Sequence, residues 1–241
     1  MADVLILAIE TATGCGSVAI TRGDGCFGKV LAEYTLQPEI THSRRLLGSV
    51  AAMMEALSMS WSDLDGVAVS QGPGSFTGLR IGMAAAKGIA LAADRPLIGV
   101  PTLDAMATQL TPTTMPVYCI LDARKQQVYA APYVFTALRA RRTGPFEVLA
   151  AAHLLEKIQE PTLVVGPGVT ACLETLQEHP RVHLLCSGLV HPRAAAVGFC
   201  GAALLHQAPP SGLDNLVPLY VRASEAELNV QRASKASIEG R

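Results

Sequence analysis

The chain has 241 residues, half of them hydrophobic, and its 19 basic and 20 acidic side chains leave a net charge of −1. That length suits one large domain or two modest ones with a real core, and the even charge argues against a protein that grips nucleic acid alone, which would be basic. The six cysteines (15, 26, 119, 172, 186, 200) form no C-x-x-C pair and sit mostly among apolar neighbours. Such cysteines read as reduced thiols of a cytoplasmic protein rather than as disulfides or zinc ligands.

Met1-Ala2-Asp3 carries no basic region, and the apolar run Val4 to Ile9 is too short for a signal or membrane segment. The run predicts a strand buried on both faces. It ends on an acid, Glu10, followed by a turn rich in Thr and Gly and a second strand, Ser17 to Thr21. Gly23-Asp24-Gly25 makes the next turn, and Lys29 to Leu36 a third strand. From Thr41 the period becomes helical: Leu46, Leu47, Val50, Met53, Met54 and Leu57 share a face, with His42, Arg44 and Arg45 in the first turn.

A short strand, Gly66 to Val69, then leads into Ser70-Gln71-Gly72-Pro73-Gly74-Ser75-Phe76-Thr77-Gly78-Leu79-Arg80. Three glycines in seven positions allow close backbone approach, and Ser75 or Thr77 can cap the helix Leu79 to Ala93 that follows. A phosphate loop is the first reading, yet the spacing fits no common form. Thr77 and Gly78 stand where the Walker pattern needs Gly and Lys, and Thr77 also breaks G-x-G-x-x-G. In the helix, Gly82, Ala86, Ile89 and Ala93 make a flat stripe. Glycine inside a helix costs about 1 kcal/mol relative to alanine, so Gly82 and Gly88 require a packing reason. The stripe, with Leu46, Val50, Met53 and Met54 of the first helix, is expected to form a partner interface.

A second unit starts near Pro116. Val117 to Leu121 is an apolar strand ending on Asp122, with Gln127 to Phe135 as its hairpin partner. Arg139, Arg141 and Arg142 read as a basic, solvated turn, and Phe146 to Ala150 as another strand. A short helix (Leu154 to Gln159) and a strand (Thr162 to Val165) follow. Gly166-Pro167-Gly168 then opens a helix to Glu178, Leu184 to Ser187 is one more strand, and a helix at 192–206 closes the unit with Ala195, Val197, Phe199 and Leu204 inward. Each half thus reads strand–acid–turn–strand, strand, helix, strand, Gly-Pro-Gly, helix. The expectation is a duplicated α/β fold with units at 1–108 and 109–232, the second truncated, and a closing helix that could pack back on the first. The end, Ile238-Glu239-Gly240-Arg241, reads as a protease-site remnant, so 233–241 are set aside.

Gly72-Pro73-Gly74-Ser75-Phe76-Thr77-Gly78-Leu79-Arg80 resembles the signature of the TsaB (YeaZ) family. Ile9-Glu10-Thr11 with Ser17-Val18-Ala19, Leu121-Asp122-Ala123-Arg124, and Val217-Pro218-Leu219-Tyr220-Val221-Arg222 agree with it. The resemblance implies an actin-like (ASKHA, ribonuclease H-like) fold. It also implies a non-catalytic scaffold in synthesis of threonylcarbamoyladenosine (t6A) in tRNA. The implied partners are a TsaD-type catalytic subunit, a TsaE-type ATPase and, through the complex, tRNA. A homodimer is expected when the chain is alone, and no membrane. ATP and metal are expected in the partner subunits, with no cofactor required by this chain.

The rival reading is a small ATP-dependent kinase of the same fold, with Glu10, Thr11, Ser17 and Asp122 around a nucleotide and its metal. The first hairpin, Glu10 to Ser17, is small and glycine-bearing enough for a phosphate. The second, Asp122 to Gln127, has no glycine and carries long side chains where backbone N–H groups would meet the anion. A degenerate cleft is therefore favoured, with no catalytic residue. Nor is a metal site expected. Catalytic relatives hold metal through histidines at i, i+4, and here Leu46 stands four residues after His42. In His179-Pro180-Arg181-Val182-His183, the proline keeps the two rings off one helical face. The third reading, an M22-type peptidase, therefore lacks both a zinc site and a Ser/His/Asp spacing.

Overall fold

Each strand of the first sheet sorts its side chains between two helical layers. In the computed structural model, which describes residues 4–25, 27–36, 43–185, 188, 190–207 and 212–222 (backbone alone at 43–45), β1 (Leu5–Glu10) is buried throughout. Leu5, Leu7 and Ile9 face one way and Ile6 and Ala8 the other, as the period of two requires. β1 pairs antiparallel with β2 (Gly16–Arg22), which pairs antiparallel with β3 (Lys29–Leu36). On its other edge β1 runs parallel to β4 (Gly66–Gly72), and β4 to β5 (Leu97–Pro101). Between these strands lie α1 (Ser43–Ala56) and α2 (Phe76–Ala93), and α3 (Thr102–Ala107) follows β5.

The second sheet repeats the first. β6 (Val117–Asp122) pairs antiparallel with β7 (Gln127–Thr136), and β7 with both β8 (Arg139–Arg142) and β9 (Glu147–Ala150). β6 runs parallel to β10 (Thr162–Val165), and β10 to β11 (Val182–Leu185). The two orders, β3-β2-β1-β4-β5 and β8-β7-β6-β10-β11, are the same order written twice. This duplicated ribonuclease H-like sheet is the actin-like fold. The helices of the second half, α4 (Ala151–Lys157), α5 (Gly168–Ala171) and α6 (Leu173–Gln177), are much shorter than α1 and α2.

Several expectations change. Arg139 to Arg142 form an edge strand, the turn before them being made by Ala137 in the left-handed region and Leu138. The helix expected after Gly168 breaks at Cys172, whose backbone leaves the helical region. The closing helix is α7 (Ala194–Gln207), and its buried face is built of small residues, Ala194 to Gly198 with Gly201 and Ala202, while Leu204 is exposed. Small residues are required because α7 presses on the first sheet: a Cβ at Gly198 would lie 2.4 Å from Thr21 Oγ1, and one at Gly201 2.6 Å from the Ala68 Cβ. The terminal residues 233–241, His42 and the side chains of Arg44 and Arg45 lie outside the described residues.

The resulting layers are α1 and α2, the first sheet, α7 with α3, the second sheet, then α4 to α6. α3 joins the halves, since Ala105 packs with the α7 cluster while Leu103 and Met106 pack on β6 and β7. Asp104 of the same helix accepts from the Tyr133 hydroxyl at 2.7 Å. α2, at 18 residues, is long and apolar enough to cross a membrane. Its inward stripe packs on the first sheet.

Candidate functional site: the cleft between the sheets

The carboxyl ends of β1, β4 and β6 converge where ligands bind in open α/β sheets. Between them lies a cleft of about 740 Å³. One wall is Ala12, Thr13, Gly74, Ser75, Phe76 and Thr77; the other is Leu121 to Lys125 with Tyr129; the segment Leu219 to Arg222 closes one side.

The glycine loop is built for packing. A Cβ at Gly74 would stand 2.3 Å from the Ala12 carbonyl oxygen, one at Gly78 2.0 Å from that of Thr11, and one at Gly82 2.1 Å from Thr11 Oγ1. Ser75 N–H donates to the Ala12 carbonyl at 2.6 Å, and the Thr11 hydroxyl donates to the Gly78 carbonyl at 2.8 Å. Three glycines four residues apart thus let α2 lie directly on the turn after β1, with Ser75 capping it through the Gly78 N–H. The second Gly-Pro-Gly works alike, since Cβ atoms at Gly166 and Gly168 would strike the backbone of Ile120 and Leu121.

Gly72, with φ of +114°, has its empty side filled by the Leu219 carbonyl oxygen 2.7 Å from the Cβ position. Here the last described segment returns across both halves. Leu219 N–H donates to the Gln71 carbonyl at 2.7 Å, and Gln71 Nε2 to the Val217 carbonyl at 2.8 Å. Tyr220 stacks on Phe76 with ring centroids 4.8 Å apart. The Arg80 guanidinium lies 3.8 Å over the Phe76 ring and donates through Nε to the Tyr220 hydroxyl at 3.0 Å. Arg222 Nη1 reaches the Ala123 carbonyl at 3.3 Å and Gln127 Oε1 at 3.2 Å. Three of the resembling segments, the glycine loop, Leu121 to Arg124 and the strap 217–222, therefore meet here. An extended, proline-bearing stretch has no periodicity, so in the sequence the strap 217–222 carries a family resemblance but no sign that it lines this cleft.

The four residues expected around a nucleotide do not share the cleft. Asp122 lines it, exposed, its Oδ1 accepting from the Arg124 N–H at 2.7 Å. Glu10 is wholly buried behind Ala12, whose N–H donates to its Oε1. Its Oε2 has no partner among the described residues. Burial pushes this carboxyl up to about 7, against the opposing pull of the Ala12 N–H and the Ser70 hydroxyl. Thr11 is buried under α2. Ser17 sits elsewhere: its Oγ accepts from the Ala194 N–H at 3.1 Å and bonds Thr35 at 3.0 Å. There, with Glu33 accepting from the Ala195 N–H and pairing with Arg193, it caps α7. The second hairpin keeps its sharp bend without glycine by holding Arg124, Lys125 and Gln126 all at positive φ, and Arg124 and Lys125 line the cleft. Among the described residues no group of three or more His, Cys, Asp or Glu is placed to hold a metal. His183 stands exposed on β11 and His179 is turned back to accept from the Arg181 N–H at 3.3 Å.

The expected interface residues are also corrected. Leu46, Val50, Met53, Met54, Gly82, Ala86 and Ile89 are buried in this chain's own core, against β1, β2 and β4, and Ala93 is half-buried. An amphipathic helix commits its richest apolar stripe to its own sheet first. The outward faces are nonetheless apolar and small: Leu47, Gly48, Ala51 and Ala52 on α1, and Ala84, Gly88, Leu91 and Ala92 on α2. A Cβ at Gly48 or Gly88 would meet open space.

Fold and cleft together define an actin-like two-sheet protein in which the residues expected around a nucleotide are dispersed. A family model described as TsaD, tRNA N6-adenosine threonylcarbamoyltransferase, matches residues 29–229. The chain is 30% identical over 237 residues to the tRNA threonylcarbamoyladenosine biosynthesis protein TsaB of Bacillus subtilis (strain 168), covering 92% of this chain and 96% of that one. It is 41% identical over 131 residues to the protein of the same name in Escherichia coli (strain K12), 53% of this chain and 54% of that one. The solved structure of YeaZ from Pseudomonas aeruginosa superposes with a TM-score of 0.72 at 26% identity, over 90% of this chain and 99% of that one. The chain belongs to the TsaB (YeaZ) family.

Proposed function

We propose that this chain is a non-catalytic accessory subunit in tRNA threonylcarbamoyladenosine synthesis, acting in the cytoplasm. It docks a TsaD-type catalytic subunit through the outward face of α1 and α2. The single observation that carries the reading is that face, where Leu91 is 72% and Leu47 54% exposed amid alanines and glycines. Two helices with small outer residues admit a partner's helices at close range, and a patch of this kind marks an interaction surface. The catalytic groups, with their ATP and metal, belong to the TsaD-type subunit and a TsaE-type ATPase, and tRNA reaches the assembly through the complex. The names carried by the TsaB relatives support the pathway.

The test is capture of a purified TsaD-type subunit by Leu91→Glu and Ala84→Glu. Both positions are exposed, so the variants should melt like the parent and lose the partner. Normal melting with undiminished capture would move the interface elsewhere.

A further inference from the structure

The outward line of α2 carries charge as well as apolar surface. Arg80, Ala84, Lys87 and Leu91 fall at i, i+4, i+7 and i+11, the spacing of one helix face. Arg80, Ala84 and Leu91 are exposed and Lys87 is half-buried. A partner that covers Ala84 and Leu91 therefore covers Lys87 between them, and its edge reaches Arg80 one turn before Ala84.

The two cations differ in freedom. Arg80 is fixed: its guanidinium lies 3.8 Å over the Phe76 ring, and its Nε donates to the Tyr220 hydroxyl at 3.0 Å. Among the described residues its Nη groups find no hydrogen-bond partner, and neither cation pairs with a carboxylate. The helix itself, Phe76–Ala93, contains no acid. On an open surface water solvates both charges. Once a partner covers them that water is lost, and a cation in an apolar seam is strongly unfavourable unless a carboxylate meets it. A lysine can carry its ammonium to the rim of such a seam. Arg80, held by a ring and a hydroxyl, cannot follow it.

We propose that the docked TsaD-type subunit sets acidic side chains against Arg80 and Lys87. The seam then joins apolar contact at Ala84, Gly88 and Leu91 to ion pairs along the same helix face. The inference rests on the proposed docking through α1 and α2, and it names what the partner must bring to that face. Phe76 and Tyr220 act as positioning residues, holding ready a planar guanidinium whose remaining N–H groups suit a carboxylate.

The experiment measures the affinity of the full chain for a purified TsaD-type subunit by surface plasmon resonance. Parent, Lys87→Gln and Arg80→Gln are compared at about 50 mM and about 500 mM salt, which screen charges to different degrees. Glutamine keeps polar bulk and removes the charge, so both variants should melt like the parent. Each should bind about three- to tenfold more weakly at low salt, with most of the difference gone at high salt. Unchanged or tighter binding at low salt overturns the proposal, because neutralising a covered cation that meets no acid strengthens an interface. Glu225 and Glu227 follow the strap in this chain. Replacing both with glutamine should leave binding unchanged; a loss matching that of Lys87→Gln would place the acid in this chain and overturn the proposal. Leu91→Glu, measured in parallel, keeps the two readings apart. Undiminished binding by Leu91→Glu removes the docking face and this inference with it. Its loss, with Lys87→Gln and Arg80→Gln unaffected, refutes only the acidic partner.

Discussion

Glu10 shows what one buried carboxyl does to the molecule. Its pKa is raised from 4.5 to about 7, chiefly by burial. Between those values the native state binds more protons than the unfolded chain, so stability falls as pH rises through that window and is level above it. The shift corresponds to roughly 3 kcal/mol at most. Glu10→Gln keeps an acceptor for the Ala12 N–H and removes the titration. Urea unfolding of the parent should therefore lose stability from pH 5 to 7.5 and the variant should lose clearly less. Parallel curves for the two proteins would mean that Glu10 is not the group responsible.

At the scale of the element, α2 has two faces with different duties. Its inner stripe meets Thr11 and the first sheet at Gly78, Gly82 and Ala86. Gly82→Leu would drive a side chain into Thr11 and Ile9, and overpacking of this kind costs about 3 kcal/mol or more at a site with backbone behind it. A fall in Tm of at least several degrees is expected, together with loss of partner capture through unfolding. Leu91→Glu, one stripe away, should leave Tm where it was. The pair separates core from interface on one helix, and a Gly82→Leu protein that melts normally would show that the helix does not press on the turn after β1.

The whole molecule is two copies of one sheet, joined by α3, by α7 and by the strap 217–222. With the α1–α2 face uncovered, the chain alone should form a two-fold dimer through that face. Light scattering at tens of micromolar should give twice the monomer mass, and Leu91→Glu should return it to monomer. A parent that stays monomeric there sinks the prediction. The dispersed acids lead to a second expectation at this scale: the purified chain should hydrolyse no ATP. Turnover that vanishes in both Glu10→Ala and Asp122→Ala would contradict it.

Much of this was legible in the sequence because it is written in local pattern. The apolar runs ending on Glu10 and Asp122, the two Gly-Pro-Gly turns and the repeated element order fixed the duplicated α/β fold, since strand burial and turn chemistry are properties of neighbouring residues. Gly82 announced a close contact by being a glycine inside a helix. Which surface it touched was not legible, because an apolar stripe looks the same against its own sheet or a partner's helix. Only the packing of α2 on Thr11 assigned the stripe to the core and left Leu91 and Ala84 outside. The cleft was decided the same way. Sequence placed Glu10, Thr11, Ser17 and Asp122 at strand ends, while the tertiary structure buried Glu10, turned Ser17 to cap α7, and brought Tyr220 and Arg222 across some 140 residues to Arg80 and about 95 to Gln127. Contacts of that separation depend on how two sheets close on each other, and no local period records it.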